Sequence, residues 1–376
     1  MDYTSSDPDV HGYVFHGYVA EPTGYGDAAR GYIHALHETG LQLSIVDLGR
    51  RRPVSDPLIS SLLGRRIIPS LHLCHTMAPL LPDMGMPLSQ VVALTAWETE
   101  RIPKSWEDGL VGVREVWVPC SHNANVFARQ TSVPVFRLPH PYLPQPADAN
   151  DDISGISSRL SLKPDDFVFF SILEWQERKC PLGIIRAFLE AFCHETDVVL
   201  VIKTLFRDSR LLTRVGRAAL GAIERCTHSG LRARVKVVTD MWPERLLQAL
   251  FKRGSCYVSL HRGEGWGYPL FNAACSGTPV IATAYSGPLD YLDAEHHNLV
   301  RYRLVPVTQK YVYFSQDMLW ADPDISHAAE LMRYVYENRE EALCRAKSVA
   351  GALRDKFSAH AVGKMAADRL SILARS

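Results

Sequence analysis

A single glutamate lies among closely spaced glycines in the stretch HRGEGWGYPLFNAACSGTP, which runs from residue 261 to residue 279. The apolar runs CYVSL and VIATA on either side are typical of buried strands. Gly263, Gly265 and Gly267 allow the backbone to approach a ligand where side chains would collide with it. Glu264 would then accept hydrogen bonds from sugar hydroxyls while the neighbouring backbone amides face an anion. The alternative is a glycine-rich turn with an exposed acid, and we favour the ligand site.

Two aromatic residues and an asparagine accompany this glutamate. Trp266 and Tyr268 would offer flat apolar surface to a ligand, or Trp266 would simply belong to the core. The following residues, FNAACSG, predict a helix that ends at Gly277. Asn272 comes eight residues after Glu264 on that helix and is a second candidate for contacting the ligand.

A pair of cations follows another predicted strand, FVFFSIL, in the stretch EWQERKCP. Arg178 and Lys179 stand there just before a predicted helix. Ligands of α/β sheets bind at the carboxyl ends of strands, and two cations beside free helix amides suit a diphosphate. The alternative is a solvated basic turn, the usual fate of an isolated Arg–Lys pair.

A second glycine-rich loop, TGYGDAARG, follows the first predicted strand. Gly24, Gly26 and Ala29 match the pattern G-x-G-x-x-A, and Asp47 falls near the end of the next predicted strand. This combination is typical of nicotinamide-dependent oxidoreductases, although so short a fingerprint often matches by chance. The same glycines would bring backbone amides near any anion at a helix N-terminus, or form a tight turn alone.

Acids and histidines also follow predicted strands. Glu98 and Glu100, in LTAWETERIPKSW, would orient or deprotonate an attacking hydroxyl, or would form surface salt bridges. Several histidines lie near strand ends without metal-ligand spacing, so we expect them to be structural and predict no metal site. They are His72, His75, His140 and His261.

The composition is that of a globular protein rather than a disordered one. Apolar residues make up 47% of the 376 residues and charged residues 22%. A formal net charge of zero gives no overall field that would attract nucleic acid. The eight cysteines are scattered without a CxxC pair, which predicts reduced thiols and a cytoplasmic location.

Membrane contact is predicted to be peripheral at most. The polar N-terminal stretch is unlike a signal peptide, and the apolar runs are shorter than the roughly 20 residues of a membrane span. Arg50–Arg52 and Arg65–Arg66 flank a short apolar helix, an arrangement found at membrane surfaces. A solvated basic face is the interpretation we favour for these arginines.

Strand-like and helix-like stretches alternate along the chain, which predicts two α/β domains with doubly wound parallel sheets. Residues 139–154, rich in Pro, Asp and Asn, predict a linker. The domains would span residues 1–145 and 155–357. The predicted strands are YVFHGYV, LSIVDL, SLHLCH, VVALTAW and EVWVPCS in the first half, and FVFFSIL, DVVLVIKT, RVKVVTD, CYVSLH and PVIATA in the second.

The stretch GEGWGYPLFNAACSGTPVIATAYSGPLDYL resembles the signature of the retaining glycosyltransferases of family 4, also called glycosyl transferases group 1. TGYGDAARGYIHAL is similar to the family's first glycine-rich loop and helix, and EWQERKCPLGIIRAFLEAF to its donor-phosphate loop. WETERIPKSW, VREVWVPCSHNANVF and WADPDISHAAELM are similar to further segments, so that the resemblance covers nearly the whole chain. It implies the GT-B fold, in which two Rossmann-like domains face a cleft.

The resemblance also implies roles for individual residues. Glu264 would contact the hydroxyls of the donor sugar, and the amides of Gly265, Trp266 and Gly267 would lie against the sugar and its phosphates. Lys179 and Arg178 would neutralise the diphosphate. Gly24 and Gly26 would approach the donor phosphate from the N-terminal domain, which would hold most of the acceptor. A last helix at about 358–373 would pack back on that domain.

Three positions depart from the family pattern. Asn272 stands where the family has a second glutamate for the ribose, and it retains an acceptor without the charge. Leu173 stands where the family's donor loop has an arginine, six residues before Lys179. The family's N-domain histidine has no match, and Glu98 is the substitute that we predict.

The resemblance implies a metal-independent hexosyltransferase of EC 2.4 type, without a cofactor, whose leaving phosphate accepts the proton of the acceptor hydroxyl. The acceptor would be a glycan, a lipid-linked intermediate or a small molecule. The rival from another class is a catalytically silent partner or scaffold subunit of the same fold, which Asn272 alone supports. The nicotinamide-dependent oxidoreductase is a further alternative.

Overall fold

The computed structural model describes residues 10–49, 53–144, 152–205, 234–308 and 310–375. They divide into two compact units. Unit 1 contains the described residues up to Leu143, the segment Val307–Met318, and those from Arg354 onward. Unit 2 contains the described residues from Pro144 to Pro306 and those from Leu319 to Leu353. The predicted arginine cluster Arg50–Arg52 lies outside the described residues.

Unit 1 is built on a parallel sheet with the strand order β2-β1-β3-β4-β5-β6. Its strands are β1 (His11–Gly17), β2 (Leu43–Asp47), β3 (Ile68–His75), β4 (Val91–Leu94), β5 (Glu115–Val118) and β6 (Val135–Arg137). Its helices are α1 (Gly24–Glu38), α2 (Pro57–Leu62), α3 (Lys104–Gly109), α4 (Ser121–Gln130) and, at the end of the chain, α11 (Ala359–Leu373). Every residue of the central strands β4 and β5 is buried, because both faces of the sheet are covered.

Unit 2 is built on a second parallel sheet, with the order β12-β11-β10-β7-β8-β9. Its strands are β7 (Phe167–Glu174), β8 (Val198–Leu205), β9 (Arg234–Val238), β10 (Cys256–Ser259), β11 (Val280–Thr283) and β12 (Asn298–Val300). The antiparallel pair β13 (Tyr302–Pro306) and β14 (Leu319–Pro323) follows. The helices are α5 (Asp152–Arg159), α6 (Pro181–Ala191), α7 (Glu244–Arg253), α8 (Tyr268–Cys275), α9 (Ile325–Glu337) and α10 (Arg339–Lys356).

Apolar side chains of α6 pack in the hydrophobic core against this second sheet. Pro181 occupies the first turn, where its missing N–H is not needed. Ile185, Phe188 and Phe192 are buried against the strands, and Phe169 of β7 lies 6.2 Å from Phe188 between ring centroids. This packing fixes the start of α6, and therefore the loop that precedes it.

The last helix, α11, packs on α1 within unit 1. Ser358 caps α11 by accepting the N–H of Ala361 at 3.1 Å. A Cβ added at Gly363 would lie 2.1 Å from the carbonyl oxygen of Ala35, so the two helices approach as closely as glycine permits. Arg369 of the same helix binds the buried carboxylate of Glu115 on β5, with Nε 2.9 Å from Oε1.

The segment Val307–Met318 belongs to unit 1 although it connects the two strands of the unit 2 hairpin. Phe314 lies 5.0 Å from Trp97 between ring centroids, and Tyr313 lies 4.8 Å from Trp106 in an edge-to-face contact. Aromatic pairs at these distances stabilise their contact beyond the area that they bury. Unit 1 is thus assembled from three separate stretches of chain.

None of the helices in the described ranges is long and apolar enough to cross a bilayer.

Candidate functional site

The candidate site lies at the point of unit 2 where the strand order reverses. β7 and β10 are neighbours, and the chain continues to β8 and β9 on one side of β7 and to β11 and β12 on the other side of β10. The connections after β7 and β10 therefore leave in opposite directions, and a crevice remains at the carboxyl ends of these strands. The segments that follow them contain Arg178, Lys179 and Glu264.

Glu264 forms ion pairs with both cations. Nη1 of Arg178 lies 3.2 Å from Oε2 of Glu264, and Nζ of Lys179 binds Oε1. Arg178 also donates to the carbonyl oxygen of Gly263 at 2.7 Å, and its own carbonyl accepts the N–H of Arg262 at 2.7 Å. The segments after β7 and β10 thus form a single charged cluster.

The cluster keeps its carboxylate ionised. Burial on its own would raise the pKa of Glu264, but the charges of Lys179 and Arg178 outweigh burial and hold the pKa at about 2. Burial lowers the pKa of the neighbouring His261, whose ring lies between the hydroxyl of Ser259 and the carbonyl of Tyr285, at 3.1 Å and 3.0 Å. The cluster therefore holds two cations against one ionised carboxylate.

Gly267 is the residue of the loop for which glycine is required. Its φ is +84°, in the left-handed region, and it precedes the first turn of α8. The hydroxyl of Tyr291 donates to the carbonyls of Trp266, at 2.6 Å, and of Gly267, at 3.3 Å. Tyr291 lies in the segment after β11, so this segment holds the loop in place.

The predicted donor-binding aromatics are buried. Trp266 is 3% exposed, and its ring lies 5.1 Å from that of Phe271 and 5.0 Å from that of Tyr291. Tyr268 is also buried, and its ring lies 6.4 Å from that of Phe271. The core packing of Trp266 corresponds to the alternative interpretation of the sequence. A donor contact of Trp266 would therefore come from its backbone amide.

Asn272 lies on α8 and is partly exposed. Its backbone carbonyl accepts hydrogen bonds from the N–H of Ser276 at 2.9 Å and from the hydroxyl of Ser276 at 2.7 Å. Its role at the ribose stays a prediction.

The remaining predicted residues lie in unit 1. Gly24 is exposed at the start of α1, with open space around the position of a Cβ. At Gly26 a Cβ would lie 1.9 Å from the carbonyl oxygen of Glu21, so this glycine is required by the fold of its own loop. Glu98 follows β4, and burial together with the charge of Glu98 raises the pKa of Tyr25. Of the two glycines, Gly24 is therefore the one that a ligand can approach.

The turn that follows β11 also belongs to the site, although no sequence pattern indicated it. Ser286 accepts the N–H of Glu264 at 2.9 Å, and the N–H of Gly287 donates to the carbonyl of Glu264 at 3.0 Å. The stretch YSGPLDY was noted only as part of a family signature. Small residues directly after a strand of an α/β sheet are the signal that would have included it among the site residues.

Among the described residues, no group of three or more His, Cys, Asp and Glu side chains is arranged to hold a metal ion.

One known sequence family matches the central part of unit 2. The sequence profile of the family described as Glycosyl transferases group 1 matches residues 160–303, which contain all the candidate residues of this unit. No curated protein sequence matches the chain.

Solved structures give similar folds at low sequence identity. Anabaena Alr3699/HepE in complex with UDP and glucose is 11% identical with a TM-score of 0.65, and the match covers 96% of this chain and 99% of that one. Sucrose-phosphate synthase from Thermosynechococcus elongatus is 13% identical with a TM-score of 0.64, covering 98% and 100%. S. aureus TarM, solved with UDP, is 14% identical with a TM-score of 0.57, and the match covers 81% of this chain but only 55% of TarM. These folds and the two doubly wound sheets confirm the predicted GT-B fold class.

Proposed function

We propose that this protein transfers a hexose from a nucleoside-diphosphate sugar to an acceptor hydroxyl, because residues 160–303 match the family described as Glycosyl transferases group 1. The transfer retains the anomeric configuration and requires no metal ion. The observation that carries the proposal is the cluster of Glu264, Lys179 and Arg178 at the carboxyl ends of β7 and β10.

The charges of the cluster match the two parts of such a donor. A carboxylate accepts hydrogen bonds from sugar hydroxyls, and a lysine and an arginine donate charge-assisted hydrogen bonds to a diphosphate. As the bond between sugar and diphosphate breaks, negative charge grows on the diphosphate and positive charge on the sugar. Lys179 and Arg178 stabilise the first of these charges, and groups fixed in advance for this purpose usually contribute most to catalysis.

Donor binding would exchange the partners of the two cations. In the structure both cations bind Glu264. A diphosphate carries more negative charge than a carboxylate and replaces it as the partner of Lys179 and Arg178. Glu264 is then available to the sugar hydroxyls beside it.

The solved structures with similar folds suggest which nucleotide to test first. TarM was solved with UDP, HepE with UDP and glucose, and the pneumococcal O-GlcNAc transferase GtfA with UDP and GlcNAc. We therefore propose a UDP-linked hexose as the donor. Gly24 and Glu98 of unit 1 are proposed to act on the donor phosphate and on the acceptor hydroxyl, which belongs to a glycan, a lipid-linked intermediate or a small molecule.

A nucleotide-binding assay followed by a transfer assay tests the proposal. A ligand at 100 times its Kd stabilises a protein by about 2.7 kcal/mol, so saturating UDP is expected to raise the melting temperature by several degrees. UDP-glucose and UDP-GlcNAc are then supplied with and without EDTA, and the anomeric configuration of the product is read by NMR. Activity is expected to persist in EDTA.

Lys179→Ala and Lys252→Ala form a matched pair for this assay. Lys252 is exposed on α7, the helix that leads into the opposite end of β10. We expect Lys179→Ala to lose most of the UDP-induced stabilisation and of the transfer, and Lys252→Ala to retain both. The proposal fails if no nucleotide stabilises the protein, or if the two variants respond to UDP equally.

A further inference from the structure

Strained backbone is found beside Glu264. In the described part of the chain, three residues other than glycine have a positive φ: Ser161, Cys180 and Ser286. Cys180 directly follows Lys179, with φ +50° and ψ +47°. Ser286 has φ +62° and ψ −145°, close to a region that is almost exclusive to glycine. Conformations of this kind persist only where their surroundings enforce them, and they concentrate at functional sites.

The side chain of Ser286 explains why a serine occupies this position. It is 5% exposed, and its Oγ accepts the N–H of Glu264 at 2.9 Å. A glycine would adopt the same backbone conformation without strain but would leave that N–H without this acceptor. An alanine would have the strain and no acceptor. Serine supplies the hydrogen bond to the Glu264 N–H, and it does so from a strained backbone conformation.

The neighbours of Ser286 bind the same loop. The N–H of Gly287 donates to the carbonyl of Glu264 at 3.0 Å, and the carbonyl of Tyr285 lies 3.0 Å from Nε2 of His261. A Cβ at Gly287 would lie 2.3 Å from the carbonyl oxygen of Gly265. Ser286 and Gly287 together bind both polar groups of the Glu264 backbone. The close contact at Gly287 leaves the Glu264 loop no space to shift toward this turn.

We propose that Ser286 is a positioning residue, whose strained conformation holds the Glu264 backbone so that the carboxylate lies against Lys179 and Arg178. The catalytic consequence rests on the proposed glycosyl transfer, whereas the positioning itself does not. Without the hydroxyl, the Glu264 backbone is held on its carbonyl side alone. The cations are attached to a different segment, after β7, so we expect a change at Ser286 to displace the carboxylate more than the cations.

Three variants test this role. Ser286→Gly removes the hydroxyl and relieves the strain, and Ser286→Ala removes the hydroxyl and retains the strain. Ser161→Gly is the matched control, since Ser161 is an exposed serine with φ +49° that lies before β7 and outside the cluster. The measurements are hydrogen exchange of the Glu264 amide, the melting temperature, UDP binding, and kcat and KM for the donor.

We expect Ser286→Gly to accelerate exchange of the Glu264 amide and to lower kcat, each about tenfold, as the loss of one buried hydrogen bond predicts. Its melting temperature and UDP affinity should remain near those of the wild type, because the strain is relieved and the cations are intact. Ser286→Ala should show the same fall in kcat with a lower melting temperature. Ser161→Gly should change neither kcat nor the exchange of the Glu264 amide.

Two results would overturn the proposal. One is a Ser286→Gly variant with wild-type kcat and wild-type protection of the Glu264 amide. The other is a Ser286→Gly variant that loses UDP binding and melting temperature in proportion to kcat, which indicates a general structural role. If the wild type transfers no sugar from any donor, the proposed function fails, and amide exchange in Ser286→Gly still decides the positioning role.

Discussion

Replacing Glu264 by glutamine removes the negative charge between two cations and keeps the size of the side chain. The wild-type carboxylate has a pKa of about 2 in the folded protein and an ordinary value of 4.5. At about 1.4 kcal/mol per pH unit, this difference corresponds to roughly 3 kcal/mol of stability. Glutamine does not titrate, so the variant lacks this pH-dependent contribution.

The sign of the effect follows from the lowered pKa. A carboxylate that is more acidic in the folded state stabilises the fold fully above pH 4.5, and that contribution is lost as the pH falls toward 2. Between pH 6 and pH 2.5 the wild type should therefore lose roughly 2–3 kcal/mol relative to Glu264→Gln. The remaining acids titrate in both proteins and cancel in the comparison.

Urea unfolding at a series of pH values measures this difference. At each pH the free energy of unfolding is obtained for the wild type, for Glu264→Gln and for Glu190→Gln, which alters an exposed glutamate on α6. The difference between wild type and Glu264→Gln should shrink steadily below pH 4.5, and that for Glu190→Gln should stay near zero. A difference for Glu264→Gln that stays constant down to pH 2.5 would refute the assignment of Glu264 as the buried partner of two cations.

Two further substitutions test other parts of the structure. Gly287→Ala places a Cβ 2.3 Å from the carbonyl oxygen of Gly265 and should destabilise the protein by about 1–3 kcal/mol, measured by urea unfolding; unchanged stability would contradict the close contact. Arg369→Ala leaves the fully buried carboxylate of Glu115 without its charge partner and should cost about 3–5 kcal/mol. Lys364→Ala, which breaks an exposed pair on the same helix, should cost less than about 1 kcal/mol, and equal losses in these two variants would refute the distinction.

Most of the fold followed from the apolar pattern. Each of the ten predicted strands overlaps a strand of the structure, because continuous runs of buried residues in a parallel sheet leave a strong signal. The missed strands β6, β12, β13 and β14 carry less of it. β6 and β12 have three residues each, β13 is largely exposed, and β14 ends in Asp322 and Pro323, residue types that favour turns. So short or so polar a segment becomes a strand only because a neighbouring strand offers it hydrogen bonds.

The sequence assigned Glu264, Arg178 and Lys179 to one expected donor site but did not indicate their direct ion pairs. Lys179 and Glu264 are 85 residues apart in the sequence, and their pairing depends on the adjacency of β7 and β10. Trp266 shows a second limit, since the pattern Gly-Trp-Gly is the same whether the ring faces a ligand or the core. A third is Ser286, whose residue type does not reveal its positive φ.

The assembly of unit 1 from three stretches has a consequence for synthesis on the ribosome. A chain that has emerged only as far as Leu143 lacks α11, and the face of α1 that Gly363 approaches is then open to water. The rings of Trp97 and Trp106 likewise lack their contacts with Phe314 and Tyr313 until that later segment has been synthesised. Unit 2 ends at Leu353, so all of it is synthesised before α11. Unit 1 is therefore the first unit to begin and the last to be completed.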